Sequence, residues 1–250
     1  MRQGWLFALL DEVTSAIMEK ELRYIRQNSR LLLQLIYPPI IFLVMAFYGP
    51  GRKLPMVGNP ANILIGLASF LLLSLPNLAY NTFGMDKEGF GRWLLAPMPL
   101  RKVFLAKNIT HGGILTLLYL VVAVSVVSVA RVGLLHVATV TVGFFAVLIL
   151  QLGAGNQFSV QWPKRVDLTQ MSSRMASSAA GFASLLVILP LIAVFGLVGF
   201  FASYWQLPWL PLAFGVVILA GGLKLYSYLL DRSVAYTYAH IEEIAGNLGA

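Results

Sequence analysis

The residues able to do chemistry are few and scattered. Three histidines, His111, His136 and His240, stand alone, whereas a zinc-protease helix needs two histidines one turn apart with a glutamate beside the first. There is no cysteine, which removes thiolate nucleophiles, iron–sulfur clusters, Cys-based zinc sites and disulfides together. No Gly-x-Ser-x-Gly turn is present to expose a nucleophilic serine. No Gly-Lys-Ser/Thr closes a phosphate-cradling loop, so the chain is not expected to hydrolyse ATP unaided. The sequence predicts no catalytic residue, no metal and no cofactor.

The other polar residues within apolar stretches read as structural first. Lys224 lies near the end of an apolar run, where a long side chain reaches the lipid headgroups. Asn77, Asn81 and Gln151 either form hydrogen bonds between helices or line a path. Ser173, Ser177 and Gly181 recur every four residues, a spacing that lets helices approach closely. Pro38 and Pro39 predict a bend.

The elements that must position these residues follow from composition. Hydrophobic residues make up 58% of the 250 and charged residues 11%, with a mean hydropathy of +0.79, while soluble domains carry about 25% charged residues. Such a chain needs lipid as its solvent. Crossing the hydrocarbon core takes about 20 apolar residues, and six stretches are expected to span: Leu31–Tyr48, Ala61–Tyr80, Ile109–Ala130, Gly133–Gly155, Ser178–Phe200 and Trp209–Leu230. They are apolar on every face, which excludes the alternating pattern of a β-barrel. The expected fold is therefore all-α and polytopic. A cytoplasmic amphipathic segment (1–30) precedes the six-span domain (31–230), and a cytoplasmic tail (231–250) follows it.

The net charge of +8 belongs to the loops, with no basic, aromatic-interleaved stripe for nucleic acid. Fifteen of the 18 Lys and Arg residues fall on the side that holds both termini, and only Arg52, Lys53 and Arg131 on the other. The positive-inside rule then predicts cytoplasmic termini, in a bacterial cytoplasmic membrane.

Three cytoplasmic segments carry most of the remaining information. In the first, Leu6, Leu9, Leu10, Val13, Ile17 and Tyr24 recur at helical spacing opposite Asp11, Glu12, Glu19, Lys20 and Arg23, an amphipathic helix suited to the membrane interface. The second, Asn81–Asn108, is long for a connection, and Phe90, Trp93, Leu94, Leu95, Val103, Phe104 and Leu105 require burial against lipid or a docked protein. Pro97 and Pro99 are expected to divide it into two short helices. The third, Gly155–Ser178, mixes Lys164, Arg165, Asp167 and Arg174 with Phe158 and Trp162.

These segments resemble those of the permeases of type-2 ATP-binding-cassette exporters. Lys20, Glu21 and Leu22 match the "KEL" stretch of the family's interface helix. Phe83, Gly84, Asp86, Gly89, Leu94, Leu95, Pro97, Pro99, Arg101 and Lys107 resemble its coupling segment, and Gly155, Asn156, Ser159, Pro163, Arg165 and Asp167 its third loop. The resemblance covers most of the chain through short motifs, and the chain looks like the six-span C-terminal half of the larger members. It implies an ATPase-coupling interface of Asp86, Glu88, Phe90, Trp93, Arg101, Phe104, Lys107, Pro163, Arg165 and Asp167. It also implies two partners, a separate ATP-binding-cassette ATPase subunit and a second membrane half. An ion-coupled carrier and a non-transporting scaffold are the alternatives. The carrier is disfavoured because no Asp or Glu falls inside an expected span.

Overall fold

A computed structural model describes residues 10–29, 31–33, 35–37, 40, 44, 60–86, 89–95, 98–130, 132–164 and 178–248. The described residues are helical, with no strand among them. The helices with defined bounds are α1 (Glu12–Gln27), α2 (Pro60–Ser74), α3 (Pro76–Ala79), α4 (Phe90–Leu95), α5 (Leu100–Ala130), α6 (Leu134–Gln161), α7 (Ser178–Tyr204), α8 (Leu210–Ala239) and α9 (Ile241–Leu248).

Four of them are long and apolar enough to cross a membrane, through Leu100–Ser128, Leu134–Gln161, Gly181–Tyr204 and Leu210–Ala239. The chain is thus an all-helical membrane protein with four such helices among its described residues. The first expected span, Leu31–Tyr48, lies largely outside them. The second, Ala61–Tyr80, is interrupted: Pro76 has no N–H to give the carbonyl of Leu72, which instead accepts from Leu75 N at 3.3 Å, and the helix divides into α2 and α3.

The long helices overrun the expected spans at one end. Residues 100–108, expected as a separate short helix, are the first turns of α5, a continuous helix of 31 residues. Pro99 precedes its first turn, where a missing N–H costs no helical bond, so the proline starts α5 rather than dividing a loop. At 1.5 Å per residue α5 is about 46 Å long, some 16 Å more than the hydrocarbon core. Likewise α6 runs to Gln161 and α8 to Ala239. This end of the bundle, where Lys20, Arg101, Lys102, Lys107 and Lys164 gather, is called the basic end below.

Packing concentrates along α6. Gly153 lets α8 approach until a Cβ there would stand 3.1 Å from Leu229 and 3.4 Å from the Tyr226 backbone. Gly215 similarly meets Val142, and Gly222 meets Leu150. Gly155 takes the backbone of α3, with the Ala79 carbonyl oxygen 2.8 Å from where a Cβ would lie. Close approach through small residues is the usual way helices associate in lipid. Among the described residues it occurs at these glycines. Ser173 and Ser177 are outside the described residues, and nothing lies within 4 Å of a Cβ built on Gly181.

Beneath the bundle is a second apolar core. Ile17, Met18, Phe83, Phe90, Phe104, Val160, Leu230, Ile244 and Leu248 bury one another, joining α1, the 80–86 turn, α4, the ends of α5, α6 and α8, and α9.

Candidate functional site

The basic-end core encloses a group of charges. Helix α1 begins after Asp11, which accepts from Thr14 Oγ1 at 2.6 Å, with Glu12 in its first turn and Arg26 in its last to match the helix dipole. Its inward face consists of Thr14, Ile17, Met18, Glu21 and Ile25 and packs along α5. The part of the expected apolar stripe from Val13 to Tyr24 therefore has a protein partner, while Leu6 and Leu9 lie outside the described residues. Glu21 stands on that stripe, four residues from both Ile17 and Ile25, and carries a carboxylate into the core.

Lys107, seven residues into α5, meets it. Its side chain is 0% exposed and that of Glu21 3%. The three protons of the ammonium have three acceptors: Glu21 Oε1 at 2.9 Å, Asp86 Oδ2 at 2.8 Å and the Thr82 carbonyl at 3.3 Å. Lys20 reaches round the outside to bond Glu21 Oε1 at 3.0 Å and Asp86 Oδ1. Trp93 Nε1 donates to Asp86 Oδ2 at 3.0 Å. Two ammonium groups thus balance two carboxylates. The Phe83 ring centre lies 5.6 Å from Lys107 Nζ and the Trp93 ring centre 5.0 Å from Lys20 Nζ, distances at which a cation is drawn to the ring face.

Burial alone would push the Glu21 carboxyl up, but Lys107 and Lys20 outweigh it and hold the group at about 2. The Tyr24 phenol is pushed up to about 12 by burial and by the charges of Asp86 and Glu21, and its hydroxyl has no hydrogen-bond partner among the described residues. His111, one turn beyond Lys107, is fully buried. Its Nε2 stands 4.0 Å from Glu21 Oε2, and neither ring nitrogen has a hydrogen-bond partner among the described residues.

Polar contacts join this cluster to the neighbouring segments. Asn81 Nδ2 donates to the Lys164 carbonyl at 2.8 Å, while Lys164 N donates to Asn81 Oδ1 at 3.0 Å. Phe83 N donates to Ser159 Oγ at 3.2 Å. Gly84 is the close-approach position of this joint, since a Cβ there would lie 2.1 Å from the Lys164 carbonyl oxygen. Higher in the bundle Asn108 Nδ2 donates to Asn156 Oδ1 and to the Tyr226 hydroxyl, both at 3.0 Å. Gln151 accepts from the Tyr80 hydroxyl and donates to Ser184 Oγ at 3.1 Å, so it ties helices together.

The structure brings some of the expected interface residues together and separates others. Asp86, Phe90, Trp93, Phe104 and Lys107 converge, but inward. The Phe83 ring contacts Phe90 and Phe104 edge-on, with centroids 5.1 and 4.8 Å apart. The burial that Phe90 and Phe104 require is met by the chain's own α1, α5 and α9, because α1 covers the segment that would otherwise be bare. Their side chains and that of Lys107 are not presented to a partner. Arg101 is exposed and pairs with Asp231 at 2.8 Å. Pro163 follows the end of α6 beside the exposed Trp162. Glu88, Arg165 and Asp167 lie outside the described residues, as do the side chains of Leu94 and Leu95. Lys224 is exposed on α8, and His240 stacks on Tyr236. Among the described residues no cluster of three or more His, Asp or Glu is placed to hold a metal ion.

Glu21 and His111 are the members of the site that spacing could have shown. A glutamate in register with Ile17 and Ile25 requires a cation opposite, and the lysine one turn before His111 is that cation. Comparison with known proteins adds no neighbour: no family model, no curated protein and no solved structure matches the chain.

Proposed function

We propose that this chain is a six-span permease subunit, or half, of an ATP-driven exporter, with cytoplasmic termini and a separate cytoplasmic ATPase docked on the basic end. One observation chiefly supports the reading: α1, the 80–86 turn, α4 and the first turns of α5 are locked by Lys107 into a unit continuous with a membrane-crossing helix. A force applied to the exposed side of that unit passes directly into α5, since α5 has no break between Leu100 and Ala130. Docking would use exposed residues, among them Arg23, Arg101, Lys102 and Trp162. A second membrane half would cover the bare apolar faces of α7 and α8, where Phe182 is 70% and Val217 66% exposed.

The ion-coupled carrier gains one observation, the buried carboxylates of Glu21 and Asp86 beside His111. Each carboxylate is already matched by lysine, however, which suits a fixed joint better than a site that must release an ion. The test is purification of the tagged chain from its native membrane. The exporter reading expects a co-purifying P-loop ATPase and ATP-dependent transport, with no hydrolysis by the isolated chain. Ion-gradient-driven transport without any ATPase would replace it with the carrier.

A further inference from the structure

A cavity of about 700 Å³ opens between α2, α6, α7 and α8, in the half of the bundle away from the basic end. Its lining runs from Asn62, His136 and Gln206, at the end away from the basic end and called its mouth here, to Leu72, Val147 and Ile188, its inner end. From Asn62 to Leu72 along α2, and from His136 to Val147 along α6, the helical rise gives a depth of about 15 Å. That is about half the hydrocarbon thickness of a bilayer, the depth of one leaflet. The volume is typical of small-molecule sites, about 300–1,000 Å³.

The space is left by small side chains. Gly196 and Gly199 line it, and nothing among the described residues stands within 4 Å of a Cβ built on either. Midway along α7, next to the inner end of the cavity, Pro190 interrupts the backbone ladder. The mouth carries a second irregularity. Gln206 closes α7 with φ 56°, and Leu207 N bonds the Ala202 carbonyl at 2.8 Å, a helix ending usually given to glycine. A glutamine there bears backbone strain and sets an amide at the cavity mouth, alongside the Asn62 amide and the His136 imidazole.

We propose that this cavity binds an amphiphile with one long hydrocarbon tail, the tail lying in the apolar shaft and a hydrogen-bonding head held by Asn62, His136 and Gln206. The assignment names the substrate class of the proposed exporter and rests on that reading for the direction of movement; binding itself does not depend on it. An apolar space of this size takes up hydrocarbon readily. A tail entering from one leaflet fits its depth, and Asn62, His136 and Gln206 lie at the end where a head would remain; of the hydroxyls that line the shaft, those of Thr139 and Ser203 bond their own helices and that of Ser69 lies further in.

The experiment uses the full chain in vesicles of phosphatidylethanolamine and phosphatidylglycerol, with a diazirine-bearing long-chain fatty acid as probe and a diazirine phospholipid as the second arm. Labelled residues are mapped by mass spectrometry. The proposal expects fatty-acid labelling on the cavity walls of α2, α6 and α7, displaced by excess unlabelled fatty acid. Gly199→Leu and Ser69→Phe should each reduce it at least severalfold, and Gly181→Leu, on the same helix as Gly199 but outside the cavity, should not. Thermal unfolding of each variant identifies any that misfold, and the two filling variants act from different helices. Label confined to exposed residues such as Leu186 and Val217, unchanged by cavity filling, would overturn it. So would equal phospholipid labelling that no fatty acid displaces, or cross-links showing that a second copy fills the cavity. A failure here with a co-purifying ATPase leaves the exporter reading intact; binding without any ATPase partner does the reverse.

Discussion

The two ends of this bundle are built from opposite materials. At the basic end, buried charges, aromatic rings and a covering helix pack together, and the Lys107 ammonium has an acceptor for each proton. Toward the other end, glycines and aliphatic side chains surround a cavity, and α7 presents bare apolar surface. Apolar packing alone is non-directional and in lipid gains little over solvation by hydrocarbon tails. Fixed geometry therefore appears where the chain places complementary charges. The proposed exporter would need both: a rigid part to receive force and a yielding part to admit a ligand.

Removing the centre of the rigid part should have the largest effect. Lys107→Met leaves Glu21 and Asp86 with only Lys20 between them, a loss of about 3–5 kcal/mol by analogy with broken buried ion pairs. Limited proteolysis should then release α1, while the α6–α8 contact persists. Combining it with Glu21→Gln should cost less than the sum of the two single changes, because the carboxylate that lost its partner is itself gone.

Crowding the joint comes next. Gly84→Ala sets a methyl against the Lys164 carbonyl and should cost about 1–3 kcal/mol, read as a lower unfolding temperature. Gly196→Ala, in open space on α7, should leave that temperature unchanged or raise it, since alanine favours helix by about 1 kcal/mol over glycine.

Acid should loosen one end and spare the other. Glu21 is held at about 2, below its ordinary 4.5, so its contribution is complete above pH 4.5 and is lost as pH falls toward 2. Tryptophan fluorescence from Trp93, which bonds Asp86, should be steady from neutral pH down to about that point and change only below it. The smallest effect belongs to Arg101→Glu. The Arg101–Asp231 pair is exposed on both sides, so stability should change by less than about 1 kcal/mol, whereas ATPase co-purification should fall if that face docks the partner.

The four helices able to cross a membrane were legible from apolar run length. The ends of the helices were not. Hydropathy registers hydrocarbon, and residues 100–108, 156–161 and 231–239 continue helices past it into surroundings where polar residues are tolerated. The Pro76 break was hidden inside an apolar run that reads as one span. The aromatic segment at Phe90 and Phe104 was correctly read as needing burial. Its partner was not identified, because α1 and α5 are distant in sequence and only the register of Glu21 with Ile17 and Ile25 links them. The Ser173/Ser177/Gly181 spacing lies mostly outside the described residues; among those described, close packing falls at Gly153, Gly155, Gly215 and Gly222, where the facing helix, which one helix's own spacing cannot reveal, decides the fit.

The most direct test of the locked basic end is hydrogen exchange on the chain in a bilayer, comparing the native protein with Lys107→Met. If Lys107 locks the unit, amides of α1, the 80–86 turn and the first two turns of α5 exchange slowly and together in the native chain. In the variant all three should accelerate in concert, with α6 and α8 unaltered. Fast, independent exchange of α1 in the native protein, unchanged by the substitution, would contradict the account.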